Sequence, residues 1–443
     1  MGILNKTISM AVFLAFFCIF LLGRPHGATA LEVQRVVSPG GIEAWLIEDH
    51  TNPIIAMRFA FRGGANLDPA GKQGLANLVS GLLDEGAGPL DSQAFQQRLE
   101  DLAITLRFDA GRDTFGGRLR TLTVNRDTAF DLLTKSLTVP RFDAEPVERL
   151  RSQILATLRR EAEDPDMIAR RKLFATLFPD HPYGRPVSGS KEAVAAISAD
   201  DLRGFVARRL AREGLAIGVV GDISPTRLAT SLDNVFGALP AKGTDWRVAE
   251  AKPARTGTTE VIRKPTPQSA IVFGQRGVKR DNADYYAAYV LNHILGGGGF
   301  TSRLYNEVRE KRGLAYSVYA ALYPMDFAGL IFGGSGTRNE AAAKTVEIVR
   351  AQWKRMADSG PTAEELTDAR QFLTGSFALR FSSSARIAAV LVAMQLDDLG
   401  IDYLDRRNAF IDAVTLDDVR RVARDLLDPN GLTFVVVGQP NGL

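Results

Sequence analysis

Two side chains seven residues apart are the best placed in this sequence to do chemistry. In the stretch Gly296 to Ala320, GGGGFTSRLYNEVREKRGLAYSVYA, Arg309 carries a permanent charge and a fork of N–H donors, and Tyr316 a phenolic O–H. The pattern predicts a helix after Gly299, capped by Thr301 or Ser302, with Leu304 and Val308 on its apolar face and a strand opening at Tyr316. A turn on Gly313 within Lys311 to Leu314 would bring the two side chains together. Taken in isolation, Glu307, Arg309, Glu310, Lys311 and Arg312 read as a solvated charged face sooner than as a site, and Tyr305 and Tyr319 read as core aromatics. The run Gly296 to Gly299 lacks the Lys-Ser/Thr ending of a phosphate loop and follows a helix rather than a strand. It reads either as a flexible connection or as a place where Gly297, Gly298 and Gly299 let a peptide backbone come close, with Phe300 as an apolar contact.

Other chemistries have little to work with. The only cysteine, Cys18, sits in an apolar run near the N-terminus, and no serine lies in a nucleophile-elbow motif. Beyond the first thirty residues the histidines are His50, His181 and His293, with no pair at ligand spacing. Those first thirty residues have the layout of a secretory signal: Lys6, an apolar run from Ile8 to Leu22, then Ala28-Thr29-Ala30. The expected mature chain begins at Leu31, is exported, and has a bacterial periplasm as its expected location, without stable membrane insertion. Its 413 residues suffice for two domains of about 200. Losing Lys6 and Arg24 lowers the formal charge from +3 to +1, with both signs interspersed, which argues against a nucleic-acid partner.

The elements that must position Arg309 and Tyr316 come in two copies. Ile197 to Gly221 matches Val414 to Gly438 without a gap at an offset of 217. Asp200/Asp417, Asp201/Asp418, Arg203/Arg420, Leu210/Leu427, Gly214/Gly431 and Leu215/Leu432 are identical across it, so the chain is one fold used twice. Each copy reads as a Ser198 or Thr415 cap, an amphipathic helix, a glycine turn and an apolar strand. Earlier in each half, strands at Pro53 to Arg62 and Gln268 to Arg276 precede helices at Gln73 to Leu83 and Ala283 to Leu295. Further strands (Leu119 to Thr123, Tyr316 to Leu322) and long helices (Ala144 to Ala162, Pro361 to Leu379) follow. The expected class is α+β, two similar domains, each an antiparallel-rich sheet covered by helices on one face. Ala241 to Thr259 has no hydrophobic period and reads as a linker between domains at 31–240 and 260–443, after a signal at 1–30.

The block from Gly296 to Ala320 resembles the second half of the M16 (pitrilysin, insulinase and mitochondrial processing peptidase-like) zinc peptidases, and the resemblance covers nearly all of both domains, including HPYGRPVSGS at His181 to Ser190. The resemblance implies that Arg309 and Tyr316 are an electrophilic pair that holds a substrate backbone and stabilises an oxyanion. In active members an H-x-x-E-H motif on a helix supplies two zinc ligands and a base, and a glutamate further on supplies the third ligand. The matching segment here is GLANLVSGLLDEGAG, Gly74 to Gly88, which puts Asn77, Ser80 and Gly81 at the motif positions and Thr157 at the third ligand. Asparagine and serine do not titrate near neutral pH and cannot replace the base. The implied protein therefore binds no cofactor itself. It is expected to be the zinc-less subunit of a heterodimeric metallopeptidase, lending Arg309 and Tyr316 to a zinc-bearing homologue for peptide hydrolysis. The alternative is an inert scaffold or peptide-binding protein of the same fold.

Overall fold

The computed structural model describes residues 32–443. Lys6, Cys18 and the whole expected signal segment therefore lie outside the described residues. Eleven strands form two sheets, in the orders β1-β2-β6-β3-β5-β4 and β7-β11-β8-β10-β9. The first comprises β1 (Gln34–Val37), β2 (Glu43–Glu48), β3 (Ile54–Arg62), β4 (Thr105–Ala110), β5 (Thr114–Leu122) and β6 (Ala216–Gly221). The second comprises β7 (Thr259–Arg263), β8 (Gln268–Arg276), β9 (Ala315–Met325), β10 (Ala328–Arg338) and β11 (Thr433–Gly438). Without β1 the two orders superimpose strand for strand. The one parallel pairing in each sheet, β2 with β6 and β7 with β11, falls at the same place.

The repeat has a local cause. Ser198 and Thr415 each accept the N–H three residues on, from Asp201 and Asp418, whose carboxylates accept the cap's own N–H in return, a capping box in both copies. Each helix (Ala199–Arg209, Leu416–Leu426) then leads into a strand, β6 or β11, that is buried at all six residues. A strand buried on both faces needs cover on both sides. Each sheet's own helices cover one face, around Phe59, Phe115 and Phe236 in the first half and Phe273, Trp353 and Phe434 in the second. The opposite face is covered by the other half. The Ser384–Leu396 helix packs on β6 and β3, joining Ile387, Ala388 and Leu391 to Trp45, Ile47 and Val220. Reciprocally, the Pro165–Leu177 helix packs on β8 and β11, joining Leu173 and Leu177 to Val272, Val435 and Val437. Glycine permits both contacts. A Cβ on Gly218 would lie 2.5 Å from the Ala388 carbonyl oxygen, and one on Gly274 3.2 Å from Leu177.

Several elements differ from the sequence expectation. β5 starts at Thr114 and pairs with β4, a strand absent from the expectation although TLRFDA alternates polar and apolar residues. The expected helix over 283–295 is α-helical at Tyr285–Asn292 and then widens into a π-turn at His293–Gly297. The expected helix over 361–379 gives way after Gly375 to a tighter 3₁₀ turn. Residues 241–258 form neither helix nor strand, yet they are tied down along both halves: Thr244 N–H donates to the Arg208 carbonyl, Ala251 to Phe327 and Ala254 to Leu177. Among the described residues no single helix is long and apolar enough to cross a membrane.

Candidate functional site

The helix at the resembling zinc-motif segment is Leu75–Leu82. Leu75, Leu78, Val79 and Leu82 bury its apolar face, and Asp68 closes its N-terminus by accepting from Gly74 and Ala76 N–H at 2.9 and 3.1 Å. Burial pushes the Asp68 carboxyl up to about 6 against the pull of those N–H groups. Ser80 turns inward and donates to the Asn77 carbonyl at 2.9 Å. At Gly81 the space a side chain would need is filled, because a Cβ there would lie 2.5 Å from Leu150 Cδ2. Leu150 belongs to Ala144–Glu161, the helix that also carries Thr157, and Thr157 Oγ1 only accepts from Arg160 on its own helix at 3.0 Å. The structure thus puts the four positions on two packed helices, with an aliphatic side chain between them and no ionisable donor among them. These residues do not fit a zinc ion, and among the described residues no three His, Cys, Asp or Glu side chains gather to hold a metal elsewhere.

The Arg309 and Tyr316 pair does converge. Ser302 caps the helical turn Arg303–Tyr305, accepting from Tyr305 N–H, and the backbone then widens into a π-turn at Asn306–Glu310 that carries Arg309. Gly313, at φ +59°, reverses the chain; its N–H donates to the Arg309 carbonyl and that of Leu314 to Val308. β9 then opens with a bulge. Ser317 faces Gly336 and Ala315 faces Thr337, so Tyr316 is an extra residue that the ladder does not accommodate, and its side chain is 82% exposed. The Arg309 guanidinium lies 4.8 Å from the Tyr316 ring centre and 4.9 Å from that of Tyr305, and it donates to the Tyr305 hydroxyl. Phe300, exposed, stands edge-on to Tyr305 at 5.0 Å and 6.0 Å from the guanidinium. Tyr305 is a buried core aromatic, as expected, and its position four residues before Arg309 also puts its hydroxyl within reach of the guanidinium.

The local charges separate. Glu307 pairs with Lys311 and Arg312, both at 2.6 Å, which holds its carboxyl below the usual range. Arg309 is left with a loose 3.9 Å contact to Glu310. Its side chain remains 31% exposed. Of the four glycines, Gly296 packs its backbone against β9, where a Cβ would lie 2.7 Å from Ala320, while Gly299, at φ +56°, has open space around it. Gly297 and Gly299 lie at the surface beside Phe300, with Gly298 half-buried between them.

Between the halves lies a cavity of about 430 Å³. Asn77 borders it, as does Tyr323 of β9, but neither Arg309 nor Tyr316 does. Seven residues of strand separate Tyr316 from Tyr323, roughly 23 Å. Within this chain the arginine–tyrosine group and the Asn77 helix therefore do not share one pocket. Nearby, the halves are joined by Tyr183, which donates to Asp113 at 2.6 Å and accepts from Phe327 N–H at 3.0 Å. Burial, and then the charge of Asp113, push Asp326 up to about 6.

Comparison with known proteins agrees with this fold. A family model described as the peptidase M16 inactive domain matches residues 196–373. The non-peptidase homolog YmxG of Helicobacter pylori is 30% identical over 95% of this chain and 98% of its own length. An uncharacterized zinc protease of Streptomyces coelicolor is 28% identical over 89% and 87%. Among solved structures, a peptidase M16 inactive domain from Pseudomonas fluorescens superposes with a TM-score of 0.86 at 30% identity, over 93% of this chain and 99% of that one. With its doubled sheet-and-helix body intact and Asn77, Ser80, Gly81 and Thr157 standing where a metal would need donors, the chain belongs to the M16 peptidase family, as a member without the zinc motif.

Proposed function

We propose that this protein is the zinc-less half of a two-chain M16 peptidase, exported with its partner, and that Arg309 and Tyr316 complete the active site of a zinc-bearing homologue. The observation that carries this reading is the contrast between the two sites. Leu150 has filled the space at Gly81, whereas Arg309 and Tyr316 are held together at the surface by a π-turn and a β-bulge, irregularities that recur at functional sites. In this role the guanidinium and phenol donate to the carbonyl oxygen of a peptide bound across the interface and stabilise it as it gains charge. Gly297, Gly298, Gly299 and Phe300 flank the peptide backbone, and zinc chemistry belongs to the partner chain.

The test is co-purification of this chain with an exported homologue that carries H-x-x-E-H, followed by peptide-cleavage assays. Arg309→Ala is expected to lower kcat of the pair by about 10² to 10³ while leaving assembly intact. Equal cleavage by wild type and variant pairs would overturn the proposal. A second reading, an inert peptide-binding or scaffold protein, is favoured by the non-peptidase designation of the Helicobacter pylori relative. It predicts peptide binding with no partner-dependent hydrolysis.

A further inference from the structure

The cavity between the halves has a chemistry of its own. Its wall on one side is the Pro165–Leu177 helix, with Met167, Arg170, Arg171 and Phe174; on another it is the loop Gly184–Ser188. Arg112, from the turn between β4 and β5, closes it, and Tyr323 and Phe332 of the second sheet form the floor. Four guanidinium groups thus face an otherwise apolar and aromatic space.

Their partners are almost all neutral. Arg112 donates to the carbonyls of Tyr183 and Arg185 at 2.8 and 3.0 Å and stacks on Phe174 with its guanidinium 4.1 Å from the ring centre. Arg170 donates to the Tyr319 hydroxyl at 2.6 Å, and Arg185 reaches only the Asp68 carbonyl, at 3.4 Å. Arg171 alone has a carboxylate, Glu161, and its Nε donates to nothing. Asp113, next to Arg112 in sequence, accepts its hydrogen bonds from Tyr183 and Asn66 and attracts Arg112 only through space. Burial depresses the Arg112 pKa, and the nearby Tyr323 hydroxyl and Asp113 carboxylate offset that desolvation only in part. The four arginines are half-buried, and their planar forks fit carboxylates in two-point contact.

We propose that this cavity is a binding site for a peptide carboxylate flanked by an apolar side chain, with Arg112, Arg170 and Arg185 taking the carboxylate and Phe174, Tyr323 and Phe332 the apolar group. A peptide is the occupant that suits the surroundings. Tyr323 lies on β9, the last strand of its sheet, whose outer backbone groups pair with no other strand and offer an extended chain a continuation of the ladder. The site gives a role to the Gly184–Ser188 part of HPYGRPVSGS, which neither the arginine–tyrosine pair nor the lost metal positions use. It is a property of this chain alone and holds whether or not a zinc-bearing partner exists.

The test is fluorescence anisotropy on the purified full chain with labelled peptides that end in Phe-Glu, in four forms: free C-terminus or C-terminal amide, each with Glu or Gln as last residue. Loss of the carboxylate that binds is expected to weaken Kd by about tenfold to a hundredfold, as for a charge-assisted hydrogen-bond pair. The form that loses affinity tells whether the main-chain or the side-chain carboxylate is read. Arg170→Gln and Arg185→Gln should each weaken the acid form by a similar factor and barely affect the doubly neutral peptide, and Arg170→Lys should retain part of the affinity. Arg203→Gln, an exposed arginine on the capped helix, serves as control. Circular dichroism melts establish that each variant folds. The proposal is overturned if the doubly neutral peptide binds as tightly as the acid, or if folded Arg170→Gln and Arg185→Gln bind the acid unchanged.

Discussion

Each sheet depends on a helix from the other half, and Leu391→Ala tests this dependence directly. Leu391 is fully buried in the Ser384–Leu396 helix, which belongs by sequence to the second half, yet its cluster includes Trp45, Ile47 and Val220 of the first. Truncating a fully buried leucine removes its transfer free energy and leaves a cavity, costing about 2–5 kcal/mol. The close seat of the helix on Gly218 limits how far the backbone can settle to fill that cavity, which points to the upper part of the range. The chain has three tryptophans, Trp45, Trp246 and Trp353. With Trp246→Phe and Trp353→Phe as background, Trp45 is the one tryptophan left, and its fluorescence in urea follows the first sheet together with the helix packed on it. Leu391→Ala is expected to shift the Trp45 midpoint downward by that free energy, although the substitution lies more than 340 residues away in sequence. The mirror experiment is Leu173→Ala, read by Trp353 in a background with Trp45→Phe and Trp246→Phe. If the Trp45 transition stays put while secondary structure of the second half melts earlier, the halves are not coupled through these helices and the reasoning fails.

A carboxyl held high by burial makes the junction sensitive to pH. Asp326 is raised from 3.8 to about 6, so its contribution to stability is fully present below about pH 4 and is lost as pH rises through 6. Asp326→Asn should therefore raise Tm relative to wild type at pH 7.5 more than at pH 5, with some slope persisting because Asp68 titrates in the same window; equal differences at both pH values would count against this. Grafting the motif as Asn77→His, Ser80→Glu, Gly81→His and Thr157→Glu should give weak zinc binding by calorimetry. Adding Leu150→Ala should tighten it about tenfold, since the overpacking it relieves costs about 1–3 kcal/mol. Tyr316→Phe should leave Tm unchanged, because the ring is largely exposed, while lowering kcat of any active two-chain assembly.

Much of this was legible from residues because the signals are local. The duplication shows in capping boxes at Ser198 and Thr415 and in the apolar strands behind them, each written within about 25 consecutive residues. The absence of donors at Asn77, Ser80, Gly81 and Thr157 is a statement about side-chain chemistry and needs no coordinates. The pairing of Arg309 with Tyr316 follows from a helix, a glycine turn and a strand in succession. β4, Thr105–Ala110, alternates polar and apolar residues at every position, so its strand signal is present in the sequence, and pairing with β5 adds only its register.

A doubled α+β fold, an arginine and a tyrosine brought to one turn, and the lack of metal donors at Asn77, Ser80, Gly81 and Thr157 can be read residue by residue, since propensity, capping and ionisable chemistry belong to individual side chains. Tertiary structure alone decided the rest. The bulge that expels Tyr316 arises from register against β10, and Tyr305 matters because Arg309 folds over it. Leu150 fills the space at Gly81, each half roofs the other's sheet, and arginines from 112 to 185 meet aromatics from 323 and 332 in one cavity. All of these are contacts between residues far apart in the chain, fixed by what must be buried together rather than by any segment's own preference.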